Sequence, residues 1–178
     1  IRAMKAFGEI LDRTGLRRLP AFRRDAVVIL TQSQDQWGVA YASFLLAKQA
    51  GFDVEFQYAG QPLKPSKFYI MPSVSGTHVI PARCYHALLR EVENGATLFV
   101  SSDGGSLEPF GTVFGIDIAT RCKAVAETTI RSEEREFDVR CRAEYQLNLV
   151  NRRAEVLAVD IDDDAIFTLC GYGRGKAL

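Results

Sequence analysis

The sequence predicts an α/β fold with a doubly wound, mostly parallel sheet and an antiparallel β extension on its C-terminal side. Three observations predict it: apolar runs alternate with helical periodicity over residues 25–103, Gly and Pro mark the joints, and β-type alternation follows Gly111. A chain of 178 residues, 47% hydrophobic and 25% charged, has room for one compact domain with an appendage. We therefore divide it into an N-terminal helix with a basic linker, residues 1–22, and a domain over residues 23–178.

The first unit of strand, helix and strand spans residues 25–58. Residues 25–31 (DAVVILT) form an apolar run typical of a buried parallel strand, and residues 52–58 (FDVEFQY) supply the next strand. Between them, residues 37–49 have helical periodicity, and Gly51 suits the end of that helix. One face of the helix is shared by Tyr41, Phe44, Leu45 and Lys48.

The second unit repeats this order. Residues 68–71 form a short apolar run that stops at Pro72, and residues 96–100 form another that stops at Ser101. Between them Pro81 suits the first turn of a helix and Gly95 suits the left-handed position after its last turn. The helix carries apolar residues at i, i+3, i+4 and i+7, namely Tyr85, Leu88, Leu89 and Val92. Right-handed crossovers would make these two units half of a doubly wound sheet.

After Gly111 the sequence predicts strands alone, either added antiparallel to the main sheet or forming a small β layer beside it. The turns between them are expected at residues 151–153 and 162–164. The strand candidates are residues 122–130, 136–142, 145–150, 155–160 and 165–170.

Charge and hydropathy limit the classes of partner that we expect for this chain. The net charge is zero, but residues 1–24 carry seven Lys or Arg against Glu9 and Asp12. These basic residues lack interleaved aromatics and flank a Leu-Pro connection, so we interpret them as structural and expect no nucleic-acid partner. No apolar stretch approaches the roughly 20 residues of a spanning helix, and we expect no membrane partner. The amphipathic start favours a cytoplasmic chain, while a secreted or periplasmic parent stays open.

Cysteines and acidic residues give no metal or redox motif, and we predict no cofactor. The four cysteines lack CxxC and CxxH spacing, which favours small buried side chains in a reduced protein. A bridge between Cys122 and Cys141 stays open for a secreted protein. The acidic residues Asp160 and 162–164 lack the Gly and distal Glu of a calcium loop and indicate a solvated turn.

Ligands of doubly wound sheets bind beyond the carboxyl ends of the strands. Trp37 at the start of the first helix could stack on a sugar, although packing or an interface is the simpler interpretation. Asp35 could instead cap that helix, and His86 on the second helix is expected at the surface or in packing. The candidate ligand or interface rim therefore consists of Gln34, Asp35, Trp37, Ser73, His78, Ser102, Asp103 and Gly104.

A hydrolytic or nucleotide-binding rim is not supported by the motifs. Ser102 follows a buried strand as the serine of a nucleophile elbow does, but Val100 stands where G-x-S-x-G requires Gly. Both histidines, His78 and His86, precede Ser102, whereas the base of such an elbow follows it. Gly104 and Gly105 lack the flanking pattern of a P-loop. We predict no catalytic residue.

Four segments carry a resemblance to a known family: VVILTQSQDQWGVAYASFLLAKQAGFDVEFQY, KPSKFYIMPSV, ALLREVENGATLFVSSDGG and the glycine-rich residues 171–176. In order and spacing they resemble the trimerisation domain of family 42 glycoside hydrolases, the bacterial β-galactosidases, and of related multidomain glycosidases. The similarity covers residues 22–176. Two departures are Ala96, where the family has a second Gly, and the stop soon after Lys176, which fits an excised fragment.

The resemblance implies a flavodoxin-like three-layer sandwich, similar to class I glutamine amidotransferases but without their catalytic Cys and His. It also implies a (β/α)8 catalytic barrel in the same polypeptide and a homo-oligomer formed through that parent. The function it favours is a noncatalytic accessory or oligomerisation domain of a β-galactosidase-like bacterial glycoside hydrolase in carbohydrate metabolism. Two alternatives stay open: a module binding a small molecule or carbohydrate, and a freestanding Ser-dependent hydrolase using Ser102 with Asp103.

Overall fold

A computed structural model describes residues 2–15, 23–34, 36–75, 80–102, 104–105, 107–123, 127–133, 135–140 and 145–178. The four helices among these residues are α1 Arg2–Thr14, α2 Gln36–Gln49, α3 Ala82–Glu93 and α4 Gly111–Phe114. The first four strands are β1 Ala26–Leu30, β2 Val54–Tyr58, β3 Phe68–Val74 and β4 Thr97–Ser102. The other strands are β5 Ile116–Lys123, β6 Glu127–Ser132, β7 Arg135–Arg140, β8 Tyr145–Asn151, β9 Glu155–Val159, β10 Ala165–Tyr172 and β11 Gly175–Ala177.

The described strands form two sheets, and the predicted α/β class is confirmed. The main sheet has the order β2-β1-β3-β4-β11-β10-β9-β6-β7. Strands β2, β1, β3, β4 and β11 are parallel, whereas β10, β9, β6 and β7 continue the sheet antiparallel. Strands β5 and β8 pair antiparallel in a separate sheet. The C-terminal strands therefore form both an extension of the main sheet and a small second layer.

Strand β1 is buried on both of its faces. Val27 and Ile29 contribute to the larger core, which α3 covers through Leu88 and Val92. Residues of the opposite face of β1 pack with Ala47 of α2 in a second core. Side chains alternate along a strand, so this division places α2 and α3 on opposite faces of the sheet.

Helix α3 follows its predicted periodicity. Its four periodic residues, from Tyr85 to Val92, are all buried, together with Cys84. The helix begins one residue later than predicted, since Pro81 is the N-cap residue. Asn94 caps the other end, and Gly95 follows with φ 114°, the backbone region that favours glycine.

Helix α2 buries little of its apolar surface. Ala47 is buried, and Val39 and Ala40 pack against the core of the α2 side. The predicted shared face of Tyr41, Phe44, Leu45 and Lys48 is instead turned to solvent. We call this face, together with Trp37, the outer face of α2.

Several predicted strand limits are wrong, and one of them is the end of β4, which was expected before Ser101 but lies at Ser102. Residues 122–130, predicted as one strand, contain the end of β5 and the start of β6, and β5 begins earlier, at Ile116. Strand β3 was expected to stop at Pro72 but runs to Val74. Its last residues depart from regular geometry, because Ser73 has φ 56° and the register with β4 shifts between Met71 and Val74.

The two predicted turns lie where expected. The Asn151 side chain binds the backbone N–H and C=O of Ala154 at 2.9 Å each, which fixes the turn from β8 to β9. Residues 160–164 connect β9 to β10. Cys84 and Cys170 are buried as predicted, whereas Cys122 is exposed, because β5 presents it on its solvent side. Cys141 lies outside the described residues.

The glycine-rich residues 171–176 end β10, turn, and lead into β11. Strand β11 enters the sheet between β4 and β10 and passes directly beneath the C-terminal end of α3. Tyr172 donates a hydrogen bond from its hydroxyl to Glu93 Oε1 at 2.9 Å, which links the turn to α3. In the described part of the chain, no helix has the length and apolar character needed to cross a membrane.

Candidate functional site

The structure places four predicted rim residues at the carboxyl ends of the parallel strands. Gln34 follows β1, Ser73 lies at the end of β3, and Ser102 and Gly104 lie at the end of β4. Trp37 is the second residue of α2, which follows the same loop as Gln34. The other three predicted residues, Asp35, His78 and Asp103, lie outside the described residues.

Gln34 joins the ends of two strands. Its buried side chain accepts a hydrogen bond from the Thr31 N–H at 2.9 Å and donates one to the Pro72 carbonyl at 2.7 Å. A buried amide whose oxygen and nitrogen are both engaged stabilises the loop it belongs to. Gln34 therefore connects the loop after β1 to the end of β3 and does not point into an open site.

The hydroxyls of β4 have a similar role. Ser101 Oγ accepts a hydrogen bond from the Ser73 N–H at 2.8 Å. Ser102 Oγ donates to the Val74 carbonyl at 3.1 Å and accepts from the Gly104 N–H at 3.3 Å. These bonds fix the irregular end of β3 against β4.

The described residues do not give Ser102 the environment of a nucleophile. An activated serine gives its proton to a base, but the Ser102 hydroxyl donates to a backbone carbonyl. His86, the histidine in the described part of the chain, is exposed on α3 beside the Tyr85 ring. Burial raises the pKa of the Tyr85 hydroxyl, which keeps that group protonated at neutral pH. The described geometry provides no base for Ser102.

Arg121 belongs to this rim although it was not predicted. A Cβ placed on Gly104 would lie 3.1 Å from Arg121 Nε, so β5 packs against the end of β4. The Arg121 guanidinium also lies 3.6 Å from the centre of the Tyr145 ring on β8, a close cation–π contact. The sequence signal was weak because β5 has neither strict alternation nor a buried run.

A groove of about 610 Å³ runs from this rim down between α2 and the sheet. Pro72, Ser73 and Ser101 lie at its upper end, and Phe52 and Phe68 lie at its lower end with ring centres 5.9 Å apart. The rest of its lining is apolar: Gly38, Val39, Ala42, Leu46, Ala47, Ala50, Ile70 and Phe99, with Ser43 as the polar exception. We call this the α2 groove.

The outer face of α2 is a separate surface on the same helix. Trp37 is 82% exposed, Leu45 is 41% exposed, and Tyr41 and Phe44 are exposed between them. An apolar helix with no polar face is normally covered on all sides. The part of the chain that the structure describes leaves the outer face uncovered, which is typical of an interaction surface.

The acidic turn binds its own backbone. Asp160 is buried, and its Oδ1 accepts the N–H groups of Asp162 and Asp164 at 3.0 Å each. Its Oδ2 accepts from Gln146 Nε2 at 3.0 Å. The cavity beside it, about 770 Å³, is open and lined by both polar and apolar side chains, and the described residues include no group of three metal-binding side chains.

No protein-family model and no curated protein matches this chain. Solved structures do match it. The exo-β-1,4-mannosidase Op5Man5 from Opitutaceae bacterium strain TAV5 superposes with a TM-score of 0.74 and 16% identity, over 97% of this chain and 33% of that one. The β-galactosidase from Rahnella sp. R3 gives 0.69 and 14%, over 99% and 31%. The GH42 β-galactosidase Gan42B gives 0.62 and 14%, over 88% and 27%.

Because the sequence identity is 14–16%, these likenesses establish a shared fold and nothing beyond it. The chain spans about a third or less of the length of these glycoside hydrolases, 27–33%. That proportion is the one expected of a single domain within a larger glycosidase. The predicted resemblance to family 42 glycoside hydrolases is thus supported at the level of fold.

Proposed function

We propose that the chain is a noncatalytic accessory domain of a bacterial, β-galactosidase-like glycoside hydrolase and supports its assembly into a homo-oligomer. The fold shared with about a third of several glycosidases supports the accessory role. The exposed outer face of α2 is the observation that carries the assembly role. In this proposal a (β/α)8 barrel elsewhere in the polypeptide supplies the two carboxylates that hydrolyse the glycoside.

The outer face of α2 has the composition of an oligomer interface. Interface cores are enriched in aromatic side chains and depleted in charge, and Lys48 is the charged member of this face. An aromatic side chain covers roughly 150–250 Å², so Trp37, Tyr41 and Phe44 together offer several hundred Å², the order of the about 800 Å² per partner in a standard interface.

The assembly role is tested by sedimentation of the 178-residue chain and of a Leu45→Glu variant. We expect the wild-type chain to associate reversibly at micromolar concentration and the variant to remain monomeric, because a charge in a desolvated interface is costly. Leu46→Glu, one residue along the same helix but lining the groove, is the matched control and should associate normally. A wild-type chain that stays monomeric at every concentration would contradict the assembly role.

Carbohydrate binding is a second candidate, favoured by the exposed indole of Trp37. An exposed aromatic face is a common platform for a sugar ring. Because Trp37 is the single tryptophan of the chain, its fluorescence reports binding directly. We would titrate galactose, mannose and β-linked disaccharides and measure thermal stability in parallel, since saturation at 100 times the Kd stabilises by about 2.7 kcal/mol. Absence of both signals would eliminate this candidate.

A further inference from the structure

We propose that a gap in the main sheet is an acceptor site for an extended peptide strand that continues β11 in line from Leu178. We call it the sheet gap: the space between residues 100–102 of β4 and residues 165–168 of β10. The proposal goes beyond the accessory role, since it concerns how this fold is joined to further polypeptide and not the outer face of α2. It rests on an open position in the sheet, on the main-chain groups beside that position, and on the cavity that it leaves.

The sheet has an open position because β11 is shorter than both of its neighbours. Its last paired residue, Ala177, lies opposite Leu98 of β4 and Cys170 of β10. Both neighbours continue past that point, β4 forward to Ser102 and β10 back to Ala165. Beyond this pairing, no described strand lies between β4 and β10.

The main-chain groups beside the sheet gap fit the ladder of a parallel strand. Leu178 donates its N–H to the Leu98 carbonyl at 2.8 Å and accepts the Val100 N–H at 2.9 Å, so the chain still follows β4 at this residue. The pattern of a parallel ladder repeats every second residue. The Val100 carbonyl and the Ser102 N–H therefore point to the place where the second residue after Leu178 would lie.

The width of the sheet gap identifies what fills it. Strand β11 alone separates β4 from β10. Neighbouring strands lie about 4.8 Å apart, so the two edges are about 9.6 Å from each other. One extended strand spans this distance with hydrogen bonds to both sides, whereas an α-helix about 10–12 Å across does not fit between the edges. The occupant is therefore a strand, parallel to β4 and antiparallel to β10.

The sheet gap leaves a cavity of about 220 Å³. On one face of the sheet it is lined by Phe99 and Phe167, whose ring centres are 6.0 Å apart, and on the other by Phe114 and Leu149. Thr168 also lines it and is 6% exposed, and its hydroxyl makes no hydrogen bond with another described residue. Buried hydroxyls normally have a partner, so this one indicates that a further group belongs in the cavity.

The surroundings also specify the side chains of the incoming strand. Side chains alternate along a strand, so the first residue after Leu178 faces the same side as Ala177, toward Phe114 and Leu149. The second residue faces the other side, toward Phe99 and Phe167. Apolar, β-branched side chains suit both positions.

The 178-residue chain, compared with the same chain extended by Val-Val-Val after Leu178, tests the proposal. We expect the extension to slow hydrogen exchange of the Ser102 amide at least about tenfold and to raise the urea midpoint, because the added strand pairs with β4. An extension by Val-Pro-Val is the matched control. Proline at the second added position has no N–H for the Val100 carbonyl, so both effects should be lost. Amides of β1 in the same data report whether each chain is folded.

Three outcomes would overturn the proposal. One is a Val-Val-Val extension that changes neither the Ser102 exchange nor the urea midpoint, and another is an equal effect of Val-Pro-Val. The third is equal protection of Ser102 by a free Val-Val-Val peptide at micromolar concentration, which would assign the sheet gap to a separate chain. The proposed assembly role fails independently of these results, since sedimentation of Leu45→Glu tests it on the outer face of α2.

Discussion

At the scale of single residues, Gly175 has the most restrictive surroundings. It is the first residue of β11, and a Cβ at this position would overlap the carbonyl oxygens of Val92 and Ala96. Both oxygens belong to backbone at the end of α3, which cannot move as a flexible side chain can. Lys176 donates its N–H to the same Ala96 oxygen at 3.2 Å. Only glycine allows β11 to pass this close to α3.

We expect Gly175→Ala to lower the free energy of unfolding by about 1–3 kcal/mol or more, because the added methyl displaces backbone. Urea unfolding measures the change. Gly171→Ala is the matched control, since a Cβ at Gly171 meets nothing within 4 Å. Equal midpoints for the two variants would show that the turn beneath α3 adapts more freely than its geometry indicates.

Ser102 gives the second prediction at this scale. Its hydroxyl joins Val74 and Gly104, so Ser102→Ala should cost about 1–2 kcal/mol of stability by leaving both partners unsatisfied. The hydrolase alternative expects instead a rate loss of more than about a hundredfold, as follows removal of a nucleophile. Unfolding midpoints, together with labelling by a serine-directed probe, separate the two. Covalent labelling of Ser102 in the folded chain would contradict the structural role.

At the scale of elements, carboxylates connect the start of β1 to its neighbours. Asp25 accepts the Asp53 N–H at 2.8 Å, and this bond lowers the pKa of its carboxyl, with Arg23 assisting and partial burial opposing. Hydrogen bonds from Lys64 and then Arg24 lower the pKa of Glu55. Both carboxyls are thus held ionised in the folded chain more strongly than in the unfolded one.

The lowered pKa values of Asp25 and Glu55 determine how the stability of the fold changes with pH. A carboxyl whose pKa is lower in the folded state stabilises above its unfolded pKa of about 4, and this contribution is lost as the pH falls through the folded value. We expect the urea midpoint to fall between pH 7 and about pH 3, and to fall less in the Asp25→Asn, Glu55→Gln double variant. Glu9→Gln on exposed α1 is the control. An unchanged acid response in the double variant would refute this origin.

The helices show what the sequence could predict at this scale. Helix α3 was predicted almost to the residue because its apolar positions occupy one side and charged residues occupy the other. Helix α2 is apolar all round, so periodicity located the helix but did not identify the side that faces the sheet. Burial of Ala47 in place of Phe44 or Leu45 depends on how closely α2 approaches β1, which is a tertiary property.

The candidate site was less predictable than the fold. The topology rule located the strand ends correctly, since Gln34, Ser73 and Ser102 all lie there. It did not show that the polar groups of these residues form hydrogen bonds with the neighbouring strand ends. Arg121 comes from β5, whose pairing with β8 depends on contacts distant in sequence, and local patterns carry no information about such contacts.

At the scale of the whole molecule, the chain corresponds in fold to 27–33% of several glycoside hydrolases. If the proposed glycosidase parent exists, we expect deletion of residues 23–178 from it to lower its oligomeric state. Activity should fall with it where the subunits depend on assembly for stability. Sedimentation and hydrolysis of a chromogenic glycoside measure the two effects. An oligomer that survives the deletion, with full activity, would contradict the proposed role.

The position of β11 has a consequence for how the chain is made. This strand pairs with β4 on one side and β10 on the other, although it follows every other described element in sequence. During translation the position between β4 and β10 therefore stays unoccupied until the last described strand has been made. Until residues 175–177 leave the ribosome, the backbone of β4 is unpaired on that edge and can pair with strands of other proteins. A nascent chain stalled before this point should be a client of chaperones.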